Sequence, residues 1–123
     1  MALTLGNPTW ETAARNALAD AFDTLVNTGS GTATLVLRNS TTVLATFNLA
    51  DPAFGAAATG VITLAGTPLS TTASAGSETT PDNYQIFDQD SNLVASGTVT
   101  GTGAITSGET VNLNSFSITI PAS

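Results

Sequence analysis

The sequence predicts a mainly β protein: an antiparallel β-sandwich or small barrel, jelly-roll-like, with one N-terminal amphipathic α-helix. Three observations predict this. After Gly31 the chain falls into about seven or eight short alternating apolar runs, with turn residues roughly every 8–12 positions. Before Gly31 a single stretch repeats its apolar residues at spacings of three and four. Polarity comes from Thr, Ser, Asn and Gly, because charged residues are only 9% of the 123, against roughly 25% in an average soluble protein. One domain is expected at this length. It divides into an N-terminal arm and helix over 1–29 and a β-sandwich over 32–121.

The helix is expected over about residues 8–27. Asn7 or Thr9 can cap it, and Pro8 is tolerated in a first turn. Trp10, Ala14, Ala17, Leu18, Ala21, Phe22 and Leu25 form one apolar stripe. Glu11, Arg15, Asn16, Asp20 and Asp23 fall on the other face, which reads as the solvent side. Gly29 ends the helix in Thr28-Gly29-Ser30-Gly31.

The β region opens with the clearest hairpin. Ala33, Leu35 and Leu37 alternate on one strand, Asn39-Ser40-Thr41 turns, and Val43, Ala45, Phe47 and Leu49 share a face of the next. Asp51-Pro52 stops that strand, and residues 53–59 read as a loop or a short helical turn. Further strands are expected at Gly60–Leu64, at Tyr84–Asp88, Leu93–Gly97 with an extension to Thr100, Thr110–Leu113 and Phe116–Ile120, while the Ser/Thr-rich Thr67–Gly76 reads as either a strand or an extended loop.

Composition excludes several chemistries. With no Cys, His or Lys, disulfides, Cys/His zinc sites, histidine bases and Schiff-base lysines are impossible. Two arginines, Arg15 and Arg38, face nine carboxylates for a net charge of −7. Binding through nucleic-acid phosphates needs clustered cations, so no nucleic-acid partner is expected. Met1–Gly6 has neither a basic segment nor an apolar signal core, and no apolar run approaches a membrane span. The chain is therefore expected to remain in the cytoplasm that makes it, with no membrane partner.

Four features compete for a functional role. Asp88-Gln89-Asp90-Ser91-Asn92 matches the first three ligand positions of a calcium loop. The match fails at Leu93, where glycine is needed, and at Val99, where a bidentate Glu is needed. An ordinary Asx-rich turn is the simpler reading. The carboxylate pairs Asp88 with Asp90 and Glu78 with Asp82 are the only route to acid–base catalysis, and their segments read as exposed. Gly97, Gly101, Gly103 and Gly108 make no phosphate loop, having neither lysine nor a following helix. The partner-interface candidates are Leu3, Leu5 and Trp10. Leu3 and Leu5 alternate in an extended arm, which is either a frayed terminus or a strand donated to a neighbour. Trp10 reads as the anchor that docks the helix to the sheet, or as an exposed interface anchor.

Residues 32–120 also carry a resemblance. Ala33–Arg38, Val43–Pro52, Gly60–Pro68, Ile86–Gly97 and Ser107–Val111 leading to Ile118-Thr119-Ile120 are similar to small virion structural proteins of tailed bacteriophages. In that group a helix or extended segment precedes a Thr/Ala/Gly-rich β-domain. The resemblance implies a non-enzymatic capsid decoration, head-fibre or accessory protein located in the virion after assembly in the host cytoplasm. It implies no cofactor or metal, and it implies the major capsid protein or other virion proteins as partners. A homo-oligomer is expected, a trimer first. The alternative is a fibre or adhesin-type domain that binds a host surface glycan, which would need an exposed aromatic cluster.

Overall fold

The computed structural model describes residues 1–100 and 103–122; of the residues discussed above, Gly101 lies outside them. It is mainly β, with 36% strand against 12% helix. The elements are α1 (Thr12–Val26), β1 (Thr34–Asn39), β2 (Thr42–Asn48), β3 (Val61–Thr63), β4 (Leu69–Thr72), β5 (Asn83–Phe87), β6 (Leu93–Thr98), β7 (Thr110–Leu113) and β8 (Ser117–Thr119). All paired strands run antiparallel. One sheet has the order β2-β1-β5-β6, and two ribbons pair β3 with β8 and β4 with β7. The arrangement is consistent with a β-sandwich, and the described residues form no closed barrel.

The expected hairpin is β1–β2, with one change. Leu37 pairs with Ala45 but Arg38 pairs with Val43, so Leu44 is the extra residue of a bulge. The bulge turns Leu44 inward, onto Ala73 and Ile105 in a small second cluster. It leaves Val43 exposed, where strict alternation placed Val43 inside. The main core joins Leu35, Phe47, Leu49, Ile62, Leu64 and Ile86 from the strands to Ala19 and Val26 of the helix.

Two further differences concern the segments around the sheets. The helix starts at Thr12 and not near residue 8, because Glu11 is extended (φ −71°, ψ 160°) and caps nothing with its side chain. Trp10 N–H donates to the Ala122 carbonyl at 2.6 Å, which holds this stretch as extended chain. Residues 53–59 form a loop, as one of the two expected readings has it, but the loop is anchored in the core at its start. Ala53 and Phe54 are fully buried, and Phe54 bridges to Leu64. Phe54 also sits between Phe22 and Phe116, with ring centroids 6.1 and 6.3 Å away.

Candidate interaction surface

The helix docks on its own β-region by a polar stripe. Asn16, Asp20, Asp23 and Asn27 each accept a hydrogen bond from the 53–60 backbone. Asn16 Oδ1 accepts from Gly60 N–H at 2.8 Å, Asp20 Oδ1 from Ala57 N–H at 2.9 Å, Asp23 Oδ1 from Phe54 N–H at 3.0 Å and Asn27 Oδ1 from Ala53 N–H at 2.9 Å. Asn27 Nδ2 also donates to Asp23 Oδ1, which holds both acceptors in place. The physical reason is the partner segment. Residues 53–60 form no regular strand, so their buried N–H groups need acceptors from elsewhere. The helix supplies them from Asn16, Asp20 and Asp23 of the polar face read from the sequence, and from Asn27, which that reading did not place on a face.

The consequence appears on the other side of α1. Ala14, Leu18, Ala21 and Leu25 repeat the spacing of the polar stripe, displaced by two residues. Two residues turn a helix by roughly 200°, so the Leu18–Leu25 line lies opposite the docked face. Leu18 is 47% exposed and Leu25 46%. Buried apolar contact comes instead from Ala19, Phe22 and Val26, which flank the polar stripe. The stripe expected to face the core is therefore divided: Phe22 packs inward, while Ala17, Leu18, Ala21 and Leu25 face water.

The three interface candidates lie on the same N-terminal portion. Leu3 is 74% exposed, Leu5 86% and Trp10 44%. Trp10 precedes the helix and is not the buried docking anchor of a first helical turn. Together with Leu18 and Leu25, these residues account for most of the large apolar side chains left in solvent among the described residues. Isolated exposed leucines need no explanation; here three of the exposed leucines and the tryptophan lie within the first 18 residues, and Leu25 follows on the helix.

The acidic turn has a different role from any of those weighed for catalysis. Asp88 is buried at 4% exposure, contrary to the exposed position expected. Its Oδ1 accepts from the N–H groups of Asp90 and Asn92, both at 2.9 Å, and its Oδ2 from Asn92 Nδ2 at 3.3 Å. Asp90 Oδ1 accepts from Ser30 N–H at 3.3 Å. Gln89 N–H donates to Thr28 O, and Gly31 N–H donates to Gln89 O. The turn thus clasps the linker between the helix and β1. Gly29 is required there: its φ is +119°, and an added Cβ would lie 2.8 Å from the Asp90 backbone nitrogen. Carboxylate oxygens already filled by N–H donors offer little to a cation. The described residues hold no group of three or more acidic, His or Cys side chains suited to a metal. Glu78 and Asp82 form no pair of interest: Asp82 accepts from Ser40 N–H, and Glu78 is exposed on a turn of φ 50°.

The Asp88 carboxyl is held below its ordinary value of 3.8. The Asn92 backbone N–H is the largest cause. Desolvation works against it, and the Asn92 side chain and the Asp90 N–H add to the lowering. A general acid needs the opposite shift. Because the folded-state value is depressed, the stability from this group is fully present above about pH 4 and is lost as pH falls through the folded-state value. Acid unfolding followed by circular dichroism is expected to show this loss below pH 4, with a shallower acid limb in Asp88→Asn. An unchanged acid limb would remove Asp88 from the account.

No family model matches the chain, and neither a curated protein nor a solved structure matches it.

Proposed function

We propose that this chain is a non-enzymatic structural protein of a tailed-phage particle, which decorates the capsid shell and stabilises it through protein–protein contacts. The observation that carries the reading is the division of α1 into a polar face docked inward and a Leu18–Leu25 face left in water. An apolar helix face kept out of its own core gains its stabilisation by burial against another protein, at about 25 cal/mol per Å² before association costs. The low charge supports the same use. Short Thr and Ser side chains lose little entropy when they are packed against a partner. The assignment to a phage particle rests on the resemblance of residues 32–120 given above.

A glycan-binding domain would need an aromatic platform. Trp10 is the one exposed aromatic residue among those described, while Phe22, Tyr84, Phe87 and Phe116 are half-buried and Phe47 and Phe54 are buried. This favours the protein-contact reading.

Co-sedimentation with capsid shells of the phage that encodes the chain tests the proposal. Saturable binding at a fixed number of copies per capsomer is expected, weakened at least tenfold by Leu18→Ser/Leu25→Ser. Absence of binding to the shell, together with binding in a glycan screen, would replace this reading with the adhesin one.

A further inference from the structure

The outward side of α1 carries a second regularity. Ala14, Leu18, Ala21 and Leu25 follow one another at steps of four, three and four, the spacing of a helix-pairing seam. Small and large residues alternate along it. Ala14 is half-buried, and the other three are exposed. Asn16, Asp20, Asp23 and Asn27 hold the opposite side of the helix against residues 53–60, so the seam points away from its own β-region.

We propose that this seam pairs with the same seam of a second copy of the chain, the two helices running antiparallel about a twofold axis. Three observations lead to this occupant. The first is shape. In an antiparallel pair, Leu18 of one helix meets Ala21 of the other, and Leu25 meets Ala14, so each large residue lies on a small one. A parallel pair would set leucine on leucine and alanine on alanine, which leaves gaps at the alanine layers.

The second observation separates another copy from the chain's own arm. Ala14 and Ala21 are seven residues apart, about 10.5 Å along a helix, and Leu18 and Leu25 of a second helix have the same separation. Leu3 and Leu5 of the arm are only about 6.7 Å apart in extended backbone. The arm cannot seat both its leucines over the two small residues, whereas a second helix can.

The third observation is charge. The chain carries −7, so two copies repel wherever their carboxylates meet. Arg15, Asp20 and Asp23 are the only charged residues from Thr12 to Val26. All three are engaged within their own chain: Arg15 Nη1 donates to the Thr59 carbonyl at 3.2 Å, and the two carboxylates accept from Ala57 and Phe54. The seam is therefore neutral ground on an acidic protein. The contact is small, since a helix of 15 residues offers a strip about 22 Å long and about 11 Å wide, or roughly 250 Å². A standard interface covers roughly 800 Å² per partner, so the pair is weak and forms where copies are concentrated. The inference needs no shell and does not rest on the phage reading.

Sedimentation equilibrium of the protein alone is expected to show one chain of 12.3 kDa when dilute and to approach two chains at millimolar concentration. Leu18→Ala/Leu25→Ala should raise the dissociation constant at least tenfold. Ala21→Leu should also weaken the pair, because the added bulk meets the second copy's Leu18. Tighter association of Ala21→Leu would mean an unspecific apolar surface and would overturn the proposal. The chain has no cysteine, so Ala17→Cys and Thr24→Cys, exposed on one flank of the seam, report on its orientation. In the antiparallel pair residue 17 faces residue 24 of the other helix, so a mixture of the two variants should cross-link under mild oxidation faster than either alone. A protein that remains one chain at millimolar concentration, a mass that settles at three chains, or a mixture that links no faster than its components would each overturn the proposal.

Discussion

Phe54→Ala is expected to lower the unfolding free energy by about 3–5 kcal/mol, the range for removing a large aromatic group from a packed core. Phe54 is fully buried and connects three parts of the molecule. Its ring meets Phe22 from the helix and Phe116 from the approach to β8, and Phe116 in turn meets Tyr84 of β5. Its backbone adds the bridge to Leu64 and the bond to Asp23. A domain of this size has only about 5–15 kcal/mol in total, so the variant should be close to unfolding at physiological temperature. Guanidinium unfolding measures this directly. A loss below about 1 kcal/mol would mean that residues 53–59 are not part of the core, since surface substitutions fall in that range.

The second large effect is expected from Asp23→Ala/Asn27→Ala. Each substitution removes the acceptor for a buried N–H, that of Phe54 and that of Ala53. An unsatisfied buried donor costs about 1–3 kcal/mol, so the pair should cost roughly 2–6 kcal/mol if the two add. Alanine is the best helix former, so lost helix propensity cannot explain such a result. Asp23→Asn keeps the Oδ1 acceptor and should lose much less. Urea unfolding of the three proteins separates these outcomes, and equal stability of the double variant and the parent chain would show that the polar stripe does not dock the helix.

The strands were legible because alternation over four or more residues leaves few alternatives. Thr110–Leu113 and the β1–β2 hairpin follow directly from their apolar spacing, and Pro121 lies beyond the last strand as expected. The β2 bulge was not legible. Val43-Leu44-Ala45 offers two adjacent large apolar residues, and only the distant Ala73 and Ile105 decide which one turns inward. The helix is legible, but the face it docks with is legible only in part: Phe22 of the apolar stripe packs inward and Leu18 and Leu25 do not. Spacing of three and four joins Leu18 and Leu25 to Trp10, Ala14, Ala21 and Phe22, and so leaves Ala19 and Val26 outside the apparent core stripe. The deciding interaction is the set of N–H groups in residues 53–60, a demand set by tertiary structure. One signal was available in the sequence: Asn16, Asp20, Asp23 and Asn27 repeat at four, three and four, and all carry short acceptor side chains. The interface candidates Leu3, Leu5 and Trp10 are exposed; Leu18 and Leu25, exposed as well, are not among them because their spacing puts them on the expected core stripe.

The Leu18–Leu25 face of the helix is not part of this chain's own core. Chemical unfolding of Leu18→Ala/Leu25→Ala, at a concentration where chains are separate, tests it most directly. Alanine keeps the helix, so the stability should stay within about 0.5 kcal/mol of the parent chain. A loss of about 2–5 kcal/mol per leucine, the range for leucines removed from a core, would contradict the account.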